Sequence, residues 1–302
     1  MKFAVTGGAG FIGNNIVREL LRNNHTVSII DNLHTGKKDN LIDVLDQVEF
    51  YNTDIRNFEE LKMILKNVEG VFHEAALTVV QESFIKKNEY FDVNVKGTEN
   101  IFKIAKDNNF KVVFASSSSV YGDVTEIPIK EDSARNPINP YGNTKLEDEF
   151  LAERYSNDGV EIIGLRYFNV FGIGQTGSYA GVITKFMNQL SKKLPPKIYG
   201  DGSQVRDFVF VKDVAEANLS AMQSKAKNGF FNVGTGRSIS IEQLARMMIK
   251  IYGLSLEPEF TDPLQGDIMK SQAYTSLTKK TLNWEYKTDL HDGLSEIIQN
   301  FN

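Results

Sequence analysis

The chain contains eleven tyrosines, and only Tyr141 is followed four residues later by a lysine, Lys145. On a helix that spacing places both side chains on one face. The preceding residues favour such a helix, because Asn139 suits an N-cap and Pro140 suits a first helical position. A free phenol ionises near pH ~10 and is a poor base at neutrality. A neighbouring ammonium favours the phenolate, and the positive end of the helix dipole adds a smaller push. Bringing the phenol to ~7 requires about 4 kcal/mol of differential stabilisation. The chemistry offered is proton exchange with a substrate hydroxyl. The plainer alternative is a half-buried tyrosine ahead of a surface lysine, and the surrounding elements decide between the two.

The chain opens with a short apolar run, Lys2 to Thr6, which leads into Gly7-Gly8-Ala9-Gly10-Phe11-Ile12-Gly13. Apolar residues then recur at helical spacing at Ile12, Ile16, Leu20 and Leu21. A glycine turn between strand and helix suits a dinucleotide. Gly7 permits the turn, Gly10 lets backbone approach a pyrophosphate, and Gly13 allows close helix–strand packing. The free N–H groups of the helix start then face the anion. A second strand, Thr26 to Ile30, ends at Asp31, whose carboxylate can bind both ribose hydroxyls of an adenosine and repels a 2′-phosphate. The pattern predicts NAD rather than NADP.

Strands continue to alternate with helices, at Val48 to Tyr51, Gly70 to His73, Lys111 to Ala115 and Val160 to Tyr167. This predicts an α/β fold, a Rossmann-type doubly wound parallel sheet with ligands beyond the carboxyl ends of its strands. Asp54, Ala75-Ala76-Leu77 and Ser116 to Ser119 fall at such ends. After Tyr167 the alternation weakens. A helix is expected around Ile183 to Leu190, a strand at Asp207 to Val211, a helix opening at Asp213, a strand at Phe230 to Val233, a helix capped by Ser240 and a last helix from Leu290. The expected division is a dinucleotide-binding domain over 1–170 and a smaller C-terminal substrate-binding domain over 171–302. Part of about 208–235 would return to the first.

The 302 residues carry a net charge of −5, which argues against a protein that grips nucleic acid by its phosphates. There is no cysteine, so disulfides and thiolate metal sites are excluded. His25, His34, His73 and His291 have no ligand spacing, so they read as structural or surface residues and no metal is expected. No run reaches membrane-spanning length and no signal segment precedes the first strand, so the expected location is cytoplasmic.

Several motifs in order, the Gly7–Gly13 turn, Asp31-Asn32-Leu33, Asn94-Val95-Lys96-Gly97-Thr98, Val120-Tyr121-Gly122, Tyr141…Lys145 and Arg166-Tyr167-Phe168-Asn169, resemble the extended short-chain dehydrogenase/reductase superfamily. Within it the chain is similar to UDP-hexose 4-epimerases over nearly its whole length. The resemblance implies tightly held NAD, lined by Gly7, Gly10, Phe11, Ile12 and Gly13, by Asp31, Asn32, Asp54 and Ile55, and by Ala75, Ala76, Asn94, Tyr141, Lys145 and Phe168. It implies catalysis by Ser117, Tyr141 and Lys145, with Ser116 and Ser118 as competitors for the shuttling hydroxyl. A UDP-sugar would meet Ser117, Ser118, Tyr141, Asn169 and Val182, with Tyr199 beside the uracil, Arg206 on phosphate and Asp267 on ribose.

Two positions bear on the substrate. A second arginine common in the family is replaced here by Leu264, with Lys185 and Lys270 as candidate substitutes. Related epimerases that exclude a 2-acetamido group carry a bulky tyrosine where this chain has Ser271, so room for UDP-GlcNAc and UDP-GalNAc is expected beside UDP-Glc and UDP-Gal. The family is often dimeric through a helical bundle, for which Val95 to Lys106 and Leu146 to Tyr155 are the candidates. One rival is a dehydratase or decarboxylase of the same superfamily. The 4,6-dehydratases place an Asp-Glu pair before Val-Tyr-Gly, where this chain has Ser118 and Ser119. Another is a non-catalytic NAD-binding sensor, which the intact Ser117, Tyr141 and Lys145 oppose.

Overall fold

The computed structural model describes residues 1–175, 181–264 and 268–300. The chain begins with β1 (Lys2–Thr6), α1 (Phe11–Arg22), β2 (Thr26–Ile30), β3 (Val48–Tyr51), α2 (Phe58–Ile64) and β4 (Gly70–His73). Two short helices, α3 (Val80–Ile85) and α4 (Lys87–Tyr90), run through a π-helical turn at Phe91–Lys96 into α5 (Gly97–Asn108). Then come β5 (Lys111–Ser117), α6 (Pro140–Asn157), β6 (Ile162–Tyr167) and β7 (Asn169–Phe171). The remainder holds α7 (Val182–Leu190), β8 (Lys197–Tyr199), β9 (Val205–Arg206), β10 (Phe208–Phe210), α8 (Val211–Gln223), β11 (Asn228–Val233), β12 (Ile239–Ser240), α9 (Ile241–Ile251), β13 (Glu259–Thr261), α10 (Ser276–Leu282) and α11 (Leu290–Gln299).

The main sheet has seven strands in the order β11-β6-β5-β4-β1-β2-β3, all parallel. The strand order reverses between β1 and β4, which opens a crevice beyond their carboxyl ends. Both faces are covered. Ile16, Val17 and Leu20 of α1 pack with Val214, Ala217 and Ala221 of α8 on one side. Leu61 of α2, Ile101 and Phe102 of α5 and Ala152 of α6 cover the other. A separate apolar cluster joins α7, α9 and α11 through Phe186, Leu244, Met248 and Leu294. β11 is thus a member of the main sheet although it lies late in the chain.

The strand expected at Asp207 to Val211 is found, shortened, as β10, with Val211 already opening α8, and a break at Asp207 separates it from β9. Asp207 is fully buried, and its Oδ1 accepts from the Thr235 N–H (2.8 Å) and hydroxyl (2.7 Å). Its Oδ2 accepts from the N–H groups of Gly236 (2.9 Å) and Ala273 (3.0 Å). A carboxylate serving four donors ties the C-terminal turns to the end of β9. No helix among the described residues is long and apolar enough to cross a membrane.

Candidate active site

Tyr141 stands in the first turn of α6, and the start of that helix is fixed from three sides. Asn139 caps it, its Oδ1 accepting from the Gly142 N–H at 2.8 Å, with Pro140 in the first turn. The Tyr141 N–H donates to the Ser83 hydroxyl at 3.2 Å. Gly142 allows the close approach of the neighbouring chain, since a Cβ there would lie 2.8 Å from the Ser119 carbonyl oxygen. This contact brings α6 against the end of β5.

Tyr141, Lys145 and Ser117 share the wall of one cavity of about 320 Å³. Ser116 also lines that wall, but its hydroxyl donates to buried Glu149 Oε1 at 2.6 Å, whereas the Ser117 hydroxyl accepts from the Ser119 N–H at 3.1 Å. Lys145 is buried, and its Nζ donates to Asp148 Oδ2 at 2.9 Å. Burial raises the Tyr141 pKa, and the Lys145 ammonium and then the Ser117 hydroxyl pull it back without overcoming that rise. Lys145 lowers the phenol as the Tyr–Lys spacing predicts, but within the protein alone desolvation of the phenolate outweighs it.

The other wall of the cavity is the glycine turn. Gly7 has φ 65°, a conformation open to glycine, and a Cβ on Gly13 would sit 2.2 Å from the Gly7 carbonyl oxygen. α1 starts at Gly10 without a capping side chain, so its first-turn N–H groups are left for an anion. Gly7, Gly10, Phe11, Ile12 and Gly13 all line the cavity. Asp31, at the end of β2, accepts from the N–H of Ala9 (2.9 Å) and of Leu33 (2.8 Å), which leaves further lone pairs on each oxygen. Asp54 is held by both sides of the Arg56 guanidinium (2.8 and 2.7 Å) and by Asn32 (2.9 Å), and chiefly Arg56 lowers its pKa to about 2. This cradle, with an anion site at one end and a ribose-sized carboxylate at the other, fits a dinucleotide.

Asn32, Ile55, Ala75, Ala76 and Phe168 also line the cavity. Asn94 does not. It is fully buried behind the wall, where its amide bonds the Leu77 N–H (2.8 Å), the Leu77 carbonyl (3.0 Å) and the Thr144 hydroxyl (3.0 Å), so it shapes the wall instead. Arg56, Glu74 and Gln175 line the cavity without having been singled out, Tyr167 was named only within a motif, and His34, exposed as a surface residue, stands at the cavity wall. Glu74 and Tyr167 stand at strand ends that the sequence places, whereas Arg56 and Gln175 lie in loops that no periodic pattern marks.

Ser118, Asn169, Val182, Tyr199, Arg206 and Ser271 are not part of this wall. Arg206 and Ser271 are nonetheless neighbours in the C-terminal part. The Ser271 N–H donates to the Val205 carbonyl at 3.2 Å, and Arg206 Nη1 donates to the same oxygen at 2.9 Å. Asn169 begins β7, which pairs with β10, and its side-chain amide donates to the Asp207 carbonyl at 3.2 Å. Val182 opens α7, and Tyr199 ends β8. Leu264 is 40% exposed, and Lys270 Nζ donates to the Thr125 carbonyl at 2.9 Å. Asp267 lies outside the described residues.

Comparison with known proteins places this arrangement. A Methanocaldococcus jannaschii protein, named as a candidate UDP-glucose 4-epimerase, is 39% identical over 300 residues, covering 97% of this chain and 96% of its own. The crystal structure of UDP-glucose 4-epimerase from Thermotoga maritima, with UDP-glucose, superposes with a TM-score of 0.95 at 34% identity, over 100% of this chain and 98% of that one. A UDP-N-acetylglucosamine 4-epimerase from Methanobrevibacter ruminantium M1, in complex with UDP-N-acetylmuramic acid, gives 0.95 at 35% identity, over 99% and 97%. The sequence model of the NAD dependent epimerase/dehydratase family matches residues 3–234, the stretch that holds the whole cavity wall from Gly7 to Gln175, and the chain is a member of that family, within the extended short-chain dehydrogenases/reductases.

Proposed function

We propose that the protein is an NAD-dependent epimerase that inverts C4 of a UDP-hexose, with UDP-GlcNAc and UDP-GalNAc as its favoured pair and UDP-Glc and UDP-Gal as further substrates. The observation that carries this reading is the meeting of Tyr141, Ser117 and Lys145 in the wall of a dinucleotide-sized cavity. NAD, when bound, would supply reversible hydride exchange with C4 of the sugar, taking the hydride from one face and giving it back on the other, and its oxidised ring would add a positive charge that favours the phenolate. Tyr141 takes the C4 hydroxyl proton and returns it after the sugar has turned its other face. Ser117 bridges phenol and sugar, since Ser116 is engaged by Glu149. Lys145 holds its charge beside Tyr141 and would bind the nicotinamide ribose.

Gly7, Gly10 and Gly13 would carry the pyrophosphate, and Asp31 the adenosine ribose. The substrate diphosphate and uridine fall to Asn169, Val182, Tyr199, Arg206 and Asp267, so the C-terminal part serves as the sugar-nucleotide lid. Arg206 and Ser271 meet at the Val205 carbonyl, which supports a role for Ser271 in setting room near the bound nucleotide sugar. Ser271 is small, and the Methanobrevibacter ruminantium relative is named for UDP-N-acetylglucosamine; both favour the N-acetylated pair. A homodimer through α5 and α6 is in keeping with Phe150, 44% exposed on α6.

The test is incubation of purified protein with UDP-GlcNAc and with UDP-Glc, followed by analysis of the sugar products. A C4 epimer formed without added NAD is expected; loss of mass from the sugar would favour a dehydratase or decarboxylase instead. Tyr141→Phe should lower turnover by roughly 100- to 10,000-fold while UDP-sugar binding, read by calorimetry, is kept. Near-normal turnover in that variant would sink the assignment.

A further inference from the structure

Beneath Tyr141 and Lys145 lies a second carboxylate that the reaction does not use. Asp148 is fully buried three residues beyond Lys145, one turn deeper into α6. Its Oδ2 accepts from Lys145 Nζ at 2.9 Å, and its Oδ1, sealed from solvent, has no close hydrogen-bond partner among the described residues, with the Thr98 hydroxyl nearby. We propose that Asp148 is a positioning residue for the catalytic pair, a buried carboxylate that keeps the Lys145 ammonium in place and protonated while damping its pull on the Tyr141 phenol. The inference rests on the reading of Tyr141 as the base.

The electrostatics follow from the geometry. Burial by itself lowers the Lys145 pKa, yet Asp148 and then Tyr141 hold it above the ordinary lysine value. The same negative charge pushes the Tyr141 pKa up. Burial raises the Asp148 pKa to about 6, with Lys145 and the Thr98 hydroxyl of α5 pulling it back and Glu149 raising it. Two of the other groups around it are settled. Glu149 is tied to Arg166, and His73 at the end of β4 is kept neutral by burial and by Lys145, its pKa near 3, with its Nε2 bonded to the Thr98 hydroxyl at 2.8 Å. Glu74, next in the chain, is pushed by burial to a pKa of about 8, so it gains charge as pH rises and then also opposes the phenolate. Asp148 is the carboxylate that bonds Lys145 directly and carries its charge at lower pH.

Removing that charge should let the pair lose its first proton at lower pH, because a nearby anion no longer opposes the phenolate. The experiment is an ultraviolet titration of tyrosinate in the holoenzyme, with and without Asp148→Asn, each read against its own Tyr141→Phe background. The midpoint should fall by about one pH unit or more in Asp148→Asn. The acid limb of kcat should move the same way, with UDP-sugar affinity unchanged. An unmoved midpoint overturns the proposal. A midpoint that rises does so too, since it would mean that Lys145 rather than Tyr141 gives up the proton. Asp148→Ser provides the same reading should the asparagine variant fail to fold. The titration needs no turnover, so its outcome is separable from a failure of the epimerase reading, which would show as activity in Tyr141→Phe alone.

Discussion

Glu74 is the residue whose surroundings differ most from what a carboxylate prefers. It lines the cavity wall, but Oε2 is sealed from solvent with no hydrogen-bond partner among the described residues, and Oε1 accepts from the Tyr167 hydroxyl at 2.9 Å. Tyr167 in turn accepts from the Asn218 amide at 2.7 Å, so no cation bonds the acid directly. Burial raises its pKa from 4.5 to about 8, against smaller opposing effects of Tyr167 and Lys145. The folded protein then holds a proton that the unfolded chain has released. The stabilising contribution is complete below pH ~4.5 and is lost as pH rises toward ~8. Glu74→Gln keeps the shape and removes the titration. Its melting temperature should exceed that of the parent by several degrees near pH 8, with the difference vanishing near pH 4.5. Calorimetric scans across that range check it; parallel curves would show that Glu74 titrates normally. The proton also matters to the active site, because a charged Glu74 would further oppose the Tyr141 phenolate.

At the scale of elements, two helix starts do separate jobs, and two substitutions should separate them. Asn139→Ala removes the cap of α6 and should cost about 1 kcal/mol of stability with a fall in kcat, as Tyr141 loses its fixed turn; NAD retention should not change. Gly13→Ala drives a methyl group into the Gly7 carbonyl, 2.2 Å away, and should release NAD on gel filtration while α6 stays intact. Absorbance of the eluted protein and thermal melts distinguish the two effects. The start of α6 was legible because Asn-Pro-Tyr-Gly carries cap and turn signals in its residue types. Its body, Leu146 to Tyr155, was named only through the family's helical bundle, for its buried face includes Lys145, Asp148 and Glu149. Charges matched by Lys145–Asp148 and Arg166–Glu149 pairs leave no apolar period to read. The glycine turn and the strand ends were equally plain from local sequence. The break at Asp207 and the approach of Arg56 to Asp54 depend on contacts that alternation does not encode.

Across the whole molecule, one buried guanidinium joins segments from both halves of the chain. Arg166 on β6 is 2% exposed, and its Nε and Nη2 each donate to Glu149 of α6 at 2.8 Å. Its Nη1 donates to the Tyr121 hydroxyl (2.7 Å) and to the Glu131 carbonyl (2.8 Å). Tyr121 passes its own proton to Asn232 Oδ1 of β11 at 2.7 Å, and the Asn232 amide continues to the Ile129 carbonyl at 2.9 Å. Glu149 also accepts from Ser116, so the same network anchors the end of β5 beside Ser117. Sequence marked Arg166 only as part of a motif, since a buried arginine gives no signal apart from its partners. Removing it leaves Glu149 still paired with Arg135, at 3.0 Å from Oε2 on the outer side, so the cost should fall below the roughly 3–5 kcal/mol of a fully broken buried pair, whereas replacing both members by apolar residues is often neutral. Arg166→Met should therefore lower the urea midpoint, and Arg166→Met with Glu149→Leu should regain part of the loss. Turnover should remain poor in the double variant, because Ser116 and Tyr121 have lost their anchor. A double variant no more stable than Arg166→Met would show that the network stabilises the fold by its hydrogen bonds and not merely by avoiding a stranded charge.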